Sequence, residues 1–558
     1  MYLADRLVPF REFVCAKYGY ERPYVSDGFE RMAEWLDKEL GGLEEAPVSP
    51  LQEFKSSKEF WKIDPRNPQR WYEVIPMDKF SDKFVIVCRA WYANALTSTL
   101  ASNSYTPVTD LTVPELVKKL NLEAEELGAA NYPEEADDDD DRPSSLSTNY
   151  LMAKLHKPKA ATRHVAGGCF VPTTPVSQML SRMLQLFMPI VDVMFFNTLV
   201  AHSGVSITTS PILPSTVMFI QRLQKIERLI LQNRLDGKAC VVESMDFAAL
   251  YPSVPLENLK HVMTIMVKIV FACKKAQANC SSRERKVPHF LIAVSQYPDR
   301  EKAHWVEAGD EGDCSSGESV YSESELIKMI FWLLDNAFST FGNKIYRQTT
   351  GIPTGTNAAP ELTQLYLLYY ELSFFCRSLS KGWSNLPADL QTLILTYLRY
   401  IDDIFRLRLG SSPSEKYLYD QRSSGGPDGM YPVLLQNDDG TVNHMPLRLT
   451  IESGETVPFL DTSVSLKRGL LSWRLYNKRE HMFVDGVRLS DLRNFPHIET
   501  KLSDTVKYGI VTSGLYRFAM INKMAFDFIR EAARMVKKMI QAGYDKAKVI
   551  GNVVRIQG

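Results

Sequence analysis

An acidic pair inside an apolar segment restricts the fold of this chain more than any other feature. The segment YLRYIDDIFRLRL alternates on both sides of Asp402 and Asp403, which predicts two strands of a hairpin joined at the pair. Adjacent carboxylates between apolar neighbours such as Ile401 and Ile404 repel each other and resist the loss of water. A bound cation is the simplest way to stabilise them, although most isolated Asp-Asp pairs are surface turns.

Two further segments precede the acidic pair and give it a context. Asp246 ends the apolar strand candidate ACVVESMD, and the turn-rich segment YRQTTGIPTGTNAAP leads into an apolar helix. Gln348, Gly351 and Gly355 recur in that turn-rich segment, and glycines there would let the backbone approach a base or a sugar closely. Taken alone, this segment is an ordinary Gly/Pro loop, and the order of the three segments is what favours a functional site.

That order resembles the palm of nucleic-acid polymerases. MDFAALY resembles motif A, RQTTGIPTGTNAAP resembles motif B, and RYIDDIF is similar to motif C of reverse transcriptases. The resemblance implies an α+β, right-hand polymerase fold with fingers, palm and thumb, whose antiparallel palm sheet packs on helices. It also implies that Asp246, Asp402 and Asp403 are catalytic and, with Phe247, hold two Mg²⁺ or Mn²⁺ ions. Magnesium prefers hard oxygen ligands such as carboxylates.

The same resemblance assigns residues to the incoming nucleotide. KLHKPKAATRHV is similar to reverse-transcriptase motifs 1 and 2, which implies that Arg163 binds the triphosphate. Lys154 and Lys157 are further basic candidates, although basic residues near a turn are usually just solvated. Tyr251 falls where reverse transcriptases place a bulky side chain that excludes a 2′-hydroxyl and so selects dNTPs. Gln348 and Gly351 are expected near the nucleotide or the template.

Several flanking stretches resemble the Penelope-like retroelement family over residues 70–550. They include IPMDKFSDKFVIV, LHKP, FPHIETKL and QAGYDKAKVI. LRLTIESGETVPFLD falls in the place of the primer grip, which implies that role for Phe459, Leu460 and Asp461. The chain departs from the family at Thr354–Thr356, His164 and Phe80, where Met-Gly-Ser, Pro and Gly are usual. About forty residues follow Arg517, too few for the GIY-YIG endonuclease that many members carry at the C-terminus.

The resemblance and the composition together suggest four regions. An N-terminal helical extension is expected at 1–70 and fingers at 71–235, with an acidic linker at about 129–148. A palm is expected at 236–465, interrupted by polar insertions at about 274–320 and 410–445, and a basic helical thumb at 466–558.

Charge is unevenly distributed along the chain. The formal net charge of −1 gives no sign of nucleic-acid binding, whereas residues 501–558 carry 11 Lys or Arg against 4 Asp or Glu, a net charge of +7. The segment MAFDFIREAARMVKKMIQAGY predicts a helix whose apolar stripe contains Phe528, Ala532, Met535 and Met539. Gly543 is its C-cap candidate. The basic residues that fall largely on another face, and that would contact duplex phosphates, are Arg530, Arg534, Lys537 and Lys538.

Eight scattered cysteines form no Cys-x-x-Cys pair, and no long apolar run is present. Both observations favour a soluble, intracellular protein without a membrane partner. A nucleus is suggested only by analogy with retroelements, and the sequence does not indicate an oligomeric state.

The expected activity is therefore RNA-directed DNA synthesis, with an RNA template, a DNA primer and dNTPs as partners. Lys478 is a candidate for the group that protonates pyrophosphate. Three alternatives stay open: an RNA-dependent RNA polymerase or terminal transferase on the same palm, a non-catalytic nucleic-acid-binding relic, and a protein whose acidic hairpin is a surface turn.

Overall fold

The computed structural model describes residues 72–78, 80–129, 145–154, 161–203, 211–281, 289–295, 302–309, 317–436, 442–444, 447–477, 483–484, 487–488 and 495–555. The expected N-terminal extension, the acidic run Asp137–Asp141, Lys157 and Lys478 lie outside these residues. The described chain divides into two compact units. The larger contains residues between 72 and 213 and between 245 and 452, and the smaller contains those between 214 and 244 and between 453 and 555.

The chain mixes helices and strands. The helices are α1 (Arg89–Leu100), α2 (Val113–Glu126), α3 (Thr173–Gln185), α4 (Phe187–Ser203), α5 (Thr216–Leu231), α6 (Leu250–Ser253), α7 (Leu256–Ser281), α8 (Glu323–Asp335), α9 (Ala359–Leu379), α10 (Ala388–Thr396), α11 (Asp504–Ile521), α12 (Ala525–Gln541) and α13 (Lys546–Arg555).

The strands are β1 (Tyr72–Met77), β2 (Phe80–Cys88), β3 (Tyr105–Val108), β4 (Ser147–Lys154), β5 (Ala161–Ala166), β6 (Cys240–Ala248), β7 (Phe290–Ser295), β8 (His304–Glu307), β9 (Glu318–Tyr321), β10 (Phe338–Phe341), β11 (Lys344–Gln348), β12 (Leu398–Tyr400), β13 (Asp403–Leu409), β14 (Tyr419–Asp420), β15 (Tyr431–Pro432), β16 (Leu434–Gln436), β17 (Val442–His444), β18 (Arg448–Gly454), β19 (Thr456–Phe459), β20 (Thr462–Lys467), β21 (Leu470–Leu475), β22 (Phe483–Val484) and β23 (Val487–Arg488).

A seven-stranded sheet in the larger unit is organised around β4. Its order is β2-β1-β4-β10-β11-β3, and β5 pairs with β4 outside that path. Strands β4 and β5 are antiparallel, and Lys154 at the end of β4 pairs with Ala161 at the start of β5. Inward-facing residues alternate along β4, as expected for a strand with one covered face, and they are Asn149, Leu151 and Ala153.

A second sheet, of order β12-β13-β6-β18, contains the acidic hairpin. The predicted hairpin is confirmed, with β12 and β13 antiparallel. Its turn differs from the prediction by one residue. Tyr400 pairs with Asp403, so the turn consists of Ile401 and Asp402, and Asp403 is the first residue of a strand.

Long apolar helices form the core of the larger unit. Helix α8 begins with a capping box, in which the Ser322 hydroxyl accepts from the Glu325 amide and the Glu325 carboxylate accepts from the Ser322 amide. Helix α9 is buried along most of its length. The largest completely buried aromatic side chains of this core include Phe187, Phe271, Tyr366, Phe374 and Phe375.

The two segments predicted as polar insertions carry more structure than expected. Helix α7 continues to Ser281, and β7, β8 and β9 form a three-stranded sheet. After β13, Leu418, Met430 and Tyr431 are buried in the main core. Single apolar residues spaced among polar ones give no periodic signal, so the burial of these three residues could not be predicted from the sequence pattern.

In the smaller unit, α11, α12 and α13 pack around one apolar core, and β19, β20 and β21 form a sheet. The predicted stripe on α12 is confirmed, since Phe528, Ala532, Met535 and Met539 are all buried. Gly543 follows the end of this helix with a φ of +87°, as expected of a glycine cap. No helix in the described part of the chain is long and apolar enough to cross a membrane.

Candidate active site

Sheet pairing brings Asp246 beside the acidic turn. The amide of Phe247 donates to the carbonyl oxygen of Asp402 at 3.2 Å, and the Thr450 hydroxyl donates to the carbonyl oxygen of Asp246 at 3.2 Å. The backbones of the Asp246 segment and of the acidic turn are therefore direct neighbours.

The turn itself has an unusual backbone. Ile401 has a φ of +52°, which is rare for a β-branched residue. The Arg399 guanidinium donates to the Ile401 carbonyl oxygen at 3.0 Å, and the Leu213 amide donates to the Arg399 carbonyl oxygen at 2.7 Å. Such a strained turn persists only where its surroundings stabilise it. Here β12 is hydrogen-bonded to β13 on one side and to Leu213 on the other.

A completely buried ionic cluster lies behind this turn. Arg399 donates to the two Glu371 carboxylate oxygens at 2.6 and 3.0 Å, and to the carbonyl oxygen of Gln364 at 3.1 Å. The hydroxyls of Tyr397 and Tyr431 donate to Glu371 at 2.8 and 2.7 Å. Burial alone would lower the pKa of Arg399, but the Glu371 carboxylate outweighs it and raises that pKa. The cluster fixes α9, β12 and β15 to one another.

The glycine-bearing segment is joined to the segment that follows Asp246. The Gly351 amide donates to the carbonyl oxygen of Val254, and the Ile352 amide donates to that of Tyr251, both at 2.8 Å. Gly351 has a φ of +79°, and a Cβ atom there would lie 2.5 Å from the Cα of Pro252. Only glycine fits this contact.

The same segment also holds the end of β5. The Ala166 amide donates to the carbonyl oxygen of Thr354 at 3.1 Å. Gly355 has a φ of +123°, and a Cβ atom there would collide with the Ala166 carbonyl oxygen. The strand that carries Arg163 is thus bonded to the predicted motif B.

Several neighbouring charges act on the Tyr251 hydroxyl. Burial raises the pKa of the Tyr251 hydroxyl to about 12, and the charge of Asp402, followed by Glu361 and Tyr400, adds to that shift. The charge of Arg163 acts in the opposite direction. The nucleotide candidates Tyr251 and Arg163 and the carboxylate of Asp402 therefore lie within electrostatic reach of one another.

Arg163 has a specific partner on the neighbouring hairpin. Its guanidinium Nη2 lies 3.3 Å from the Asp78 carboxylate, and the Arg163 side chain is 44% exposed against 7% for Asp78. Lys154, the other described basic candidate, is the last residue of β4 and pairs with Ala161.

Gln348 is buried and bonded within the protein. Its side-chain amide donates to the carbonyl oxygen of Thr350 at 2.9 Å, and the Tyr105 hydroxyl lies 3.4 Å from its Oε1. Tyr105 also lies 3.1 Å from His164 Nδ1.

The hydrogen bonds around His164 define its tautomer. Asn149 Nδ2 donates to the Ser339 hydroxyl at 2.9 Å, so its Oδ1 accepts from His164 Nε2 at 2.8 Å. His164 Nδ1 must then accept from Tyr105. Burial lowers the pKa of His164, which agrees with a neutral ring.

The primer-grip candidates form the β19–β20 turn in the smaller unit. Phe459 is 2% exposed and its ring centroid lies 4.6 Å from that of Phe219, so this ring supports the turn from inside. Leu460 has a φ of +50°, and Asp461 forms an ion pair with Arg517.

The four basic candidates on α12 are not equivalent. Arg530 pairs with Asp527 at 2.9 Å, and Arg534 donates to Glu531 at 3.1 Å. Arg534 and Lys537 are exposed, whereas Arg530 and Lys538 are partly buried. The exposed pair is the better placed to meet an anionic partner.

The donor chemistry of the acidic site suits a hard cation, although the side chains are not gathered around one point. Among the described residues, no three His, Cys, Asp or Glu side chains form a group that could hold a metal ion as they stand. The backbone neighbours Asp246 and Asp402, with Asp403 next along β13, nevertheless supply carboxylate oxygens of the kind Mg²⁺ prefers.

Sequence reasoning missed three residues that shape the site. Glu371 is an acid with apolar neighbours in a largely apolar helix, and Arg399 is a cation in an apolar strand, so both carried a local signal of burial. Asp78 lies in a stretch noted only for its resemblance, and nothing local indicated that it would meet Arg163.

Comparisons with known proteins give weak likenesses only. No family model and no curated protein matches the chain. Among solved structures, a telomerase from Candida albicans in complex with a fragment of telomeric RNA is 10% identical, with a TM-score of 0.45 over 87% of this chain and 62% of that one. Apo telomerase from Candida tropicalis gives 11% and 0.42, over 87% and 69%. The RNA-dependent RNA polymerase of a human picobirnavirus gives 10% and 0.36, over 96% and 87%. This chain thus spans less than two thirds of the Candida albicans protein, and likenesses below a TM-score of 0.5 do not establish a shared fold or activity.

Proposed function

We propose that this chain is a reverse transcriptase of the Penelope-like type, which extends a DNA primer on an RNA template with dNTPs. The observation that carries the proposal is the hydrogen bond between the Phe247 amide and the Asp402 carbonyl oxygen. It makes neighbours of two acidic segments far apart in the chain. A simple surface turn would not be expected to lie beside a second strand that carries a carboxylate.

The surroundings of the carboxylates support the same activity. The charges of Arg163 and Asp402 both act on the Tyr251 hydroxyl, so a nucleotide sugar and a triphosphate would meet their binding residues in one place. Arg163 would neutralise phosphate charge and donate several hydrogen bonds. The protein's own contribution is to orient the reactants and to stabilise charge.

Asp246, Asp402 and Asp403 would hold two divalent ions. When bound, such ions lower the pKa of the attacking hydroxyl and stabilise the leaving pyrophosphate. Because the side chains do not converge as they stand, we expect the carboxylates to draw together when a cation and a nucleotide bind. Mn²⁺ titrated calorimetrically should bind the wild-type chain, and Asp246→Ala should remove that binding.

A primer-extension assay tests the activity. The wild-type chain should extend a DNA primer on an RNA template with dNTPs and Mg²⁺, and Asp402→Asn should abolish extension while template binding persists. Asp110→Asn, which changes an exposed aspartate in the same unit, is the matched control and should extend normally. Unaltered extension by Asp402→Asn would show that the site is misplaced.

Sugar selection separates DNA synthesis from RNA synthesis. Tyr251→Ala should let rNTPs compete, lowering the preference for dNTPs by about 10-fold or more. A wild-type preference for rNTPs would instead indicate an RNA polymerase. Tyr251→Phe is the control, because it keeps the ring and removes only the hydroxyl.

The finer architecture follows from this proposal. The sheet that carries Asp246 and the acidic turn would be the palm, the sheet around β4 would belong to the fingers, and α11 to α13 would be the thumb. The exposed basic residues Arg534 and Lys537 suit contact with duplex phosphates.

A further inference from the structure

Asp78 is a buried carboxylate that the proposed chemistry does not use. It follows β1 directly, and its amide donates to the carbonyl oxygen of Ala153 at 2.9 Å. Only 6% of the residue is exposed. A carboxylate this deeply buried is costly unless a cation or several donors compensate it.

The sheet register brings Asp78 to Arg163. Met77 pairs with Ala153 on β4, and Met152, the preceding residue of β4, pairs with Arg163 on β5. The two charged residues therefore lie on either side of the same stretch of β4, where the Asp78 carboxylate and the Arg163 guanidinium are 3.3 Å apart. Both positions are fixed by strand pairing.

The burial of this ion pair is one-sided. The Asp78 side chain is 7% exposed, whereas the Arg163 side chain is 44% exposed. An ion pair that served only packing would be expected to bury both partners. A guanidinium has five N–H donors, so a single carboxylate leaves donors for a second anion.

We propose that Asp78 is a positioning residue, which holds the Arg163 guanidinium at the angle needed to receive the triphosphate of the incoming nucleotide. The inference rests on the proposed polymerase function. It adds a residue from the hairpin β1–β2 to the nucleotide site. Asp78 lowers the net positive charge of that site, and in return it fixes the guanidinium before the nucleotide arrives.

The sign of the effect on nucleotide affinity tests this idea. Asp78→Asn is nearly isosteric and removes the charge. If positioning matters most, the KM for dNTPs should rise about 10-fold, the equivalent of one charge-assisted hydrogen bond, with kcat changed much less. If Asp78 merely weakened the positive field, the KM would fall, and the proposal would be overturned.

A second background shows whether Asp78 acts through Arg163. Arg163→Lys keeps the charge but loses the fork of donors that can serve two anions at once. Adding Asp78→Asn to Arg163→Lys should then raise the KM no further. In the chain that retains Arg163, Asp78→Glu keeps the carboxylate, so its KM should be much closer to the wild-type value than that of Asp78→Asn. Equal effects of Asp78→Asn in both backgrounds would refute the mechanism.

Glu73→Gln is the matched control. Glu73 lies on β1, the strand that precedes Asp78, and pairs with Arg89 at 3.5 Å, but both side chains are well exposed. Glu73→Gln should leave the KM for dNTPs unchanged.

Melting temperatures of all variants test whether Asp78 has only a structural role. In that case Asp78→Asn would lower the melting temperature and kcat while the KM stayed constant. Wild-type extension with an unchanged KM in Asp78→Asn refutes the inference alone, and no extension by the wild-type chain refutes the proposed function with it.

Discussion

Arg399→Met should strongly destabilise the larger unit, because it leaves the Glu371 carboxylate charged and buried. Arg399 and Glu371 both have no exposed side-chain surface. The substitution removes two charge-assisted hydrogen bonds to Glu371 and one bond each to the carbonyl oxygens of Ile401 and Gln364. The two tyrosine hydroxyls on Glu371 compensate only part of this loss. Breaking a buried pair from one side costs about 3–5 kcal/mol.

The double substitution separates the penalty of an orphaned charge from the value of the pair. Glu371→Gln with Arg399→Met removes both charges, so it should cost about 2 kcal/mol less than the sum of the single substitutions. Urea unfolding followed by tryptophan fluorescence measures each free energy. Arg347→Met is the control, because that arginine is 44% exposed in its pair with Asp335 and should contribute less than about 1 kcal/mol.

Hydrogen exchange then locates the effect. Arg399→Met removes the donor that holds the strained Ile401 carbonyl. The substitution should therefore speed the exchange of amides in β12 and β13 more than that of amides in α11 and α12 of the smaller unit. A cost below about 1 kcal/mol for Arg399→Met, or strict additivity in the double variant, would refute the reasoning.

Other predictions concern single features of the chain. Gly351→Ala should destabilise by about 2 kcal/mol or more in urea unfolding, since a Cβ atom would lie 2.5 Å from Pro252 and the φ is +79°. Burial lowers the pKa of His164 below 6.5, so as the pH falls the unfolded chain binds a proton before the folded chain does, and the stability from this group is lost below about pH 6.5. His164→Gln should therefore reduce the fall in the free energy of unfolding between pH 7.5 and 5. Arg534→Gln with Lys537→Gln should weaken duplex binding and reduce the slope of log K against log salt by about 2, measured by fluorescence anisotropy in KCl.

Local patterns were sufficient for most of what surrounds the carboxylates. The sequence predicted the strands around Asp246 and the acidic pair, and β pairing follows once both belong to one sheet. The expectation that Asp246 ends its strand was wrong, because β6 continues to Ala248. The residues that form the turn could not be predicted exactly from the sequence. A bulky Ile401 in the left-handed region has no sequence signature, because it depends on Arg399 holding the carbonyl from behind.

Long-range charge pairing explains what sequence reasoning missed. Asp78 meets Arg163 only through the register of three strands, and Glu371 meets Arg399 only when α9 packs against β12. Neither register nor helix packing can be read from the residues around one charge. The gathering of three side chains on a metal ion likewise stays a prediction.

The segment between β13 and β18 has a consequence for protein engineering. Tyr431 donates to Glu371, and its ring centroid lies 5.1 Å from that of Phe247, the neighbour of Asp246. Arg377 anchors the same stretch through Asp428. A chain shortened in this segment for crystallography would lose the Tyr431 contacts that support Glu371 and Phe247 beside the candidate site. Anyone minimising the protein should therefore keep the stretch from Leu418 to Pro432 and choose another place to cut.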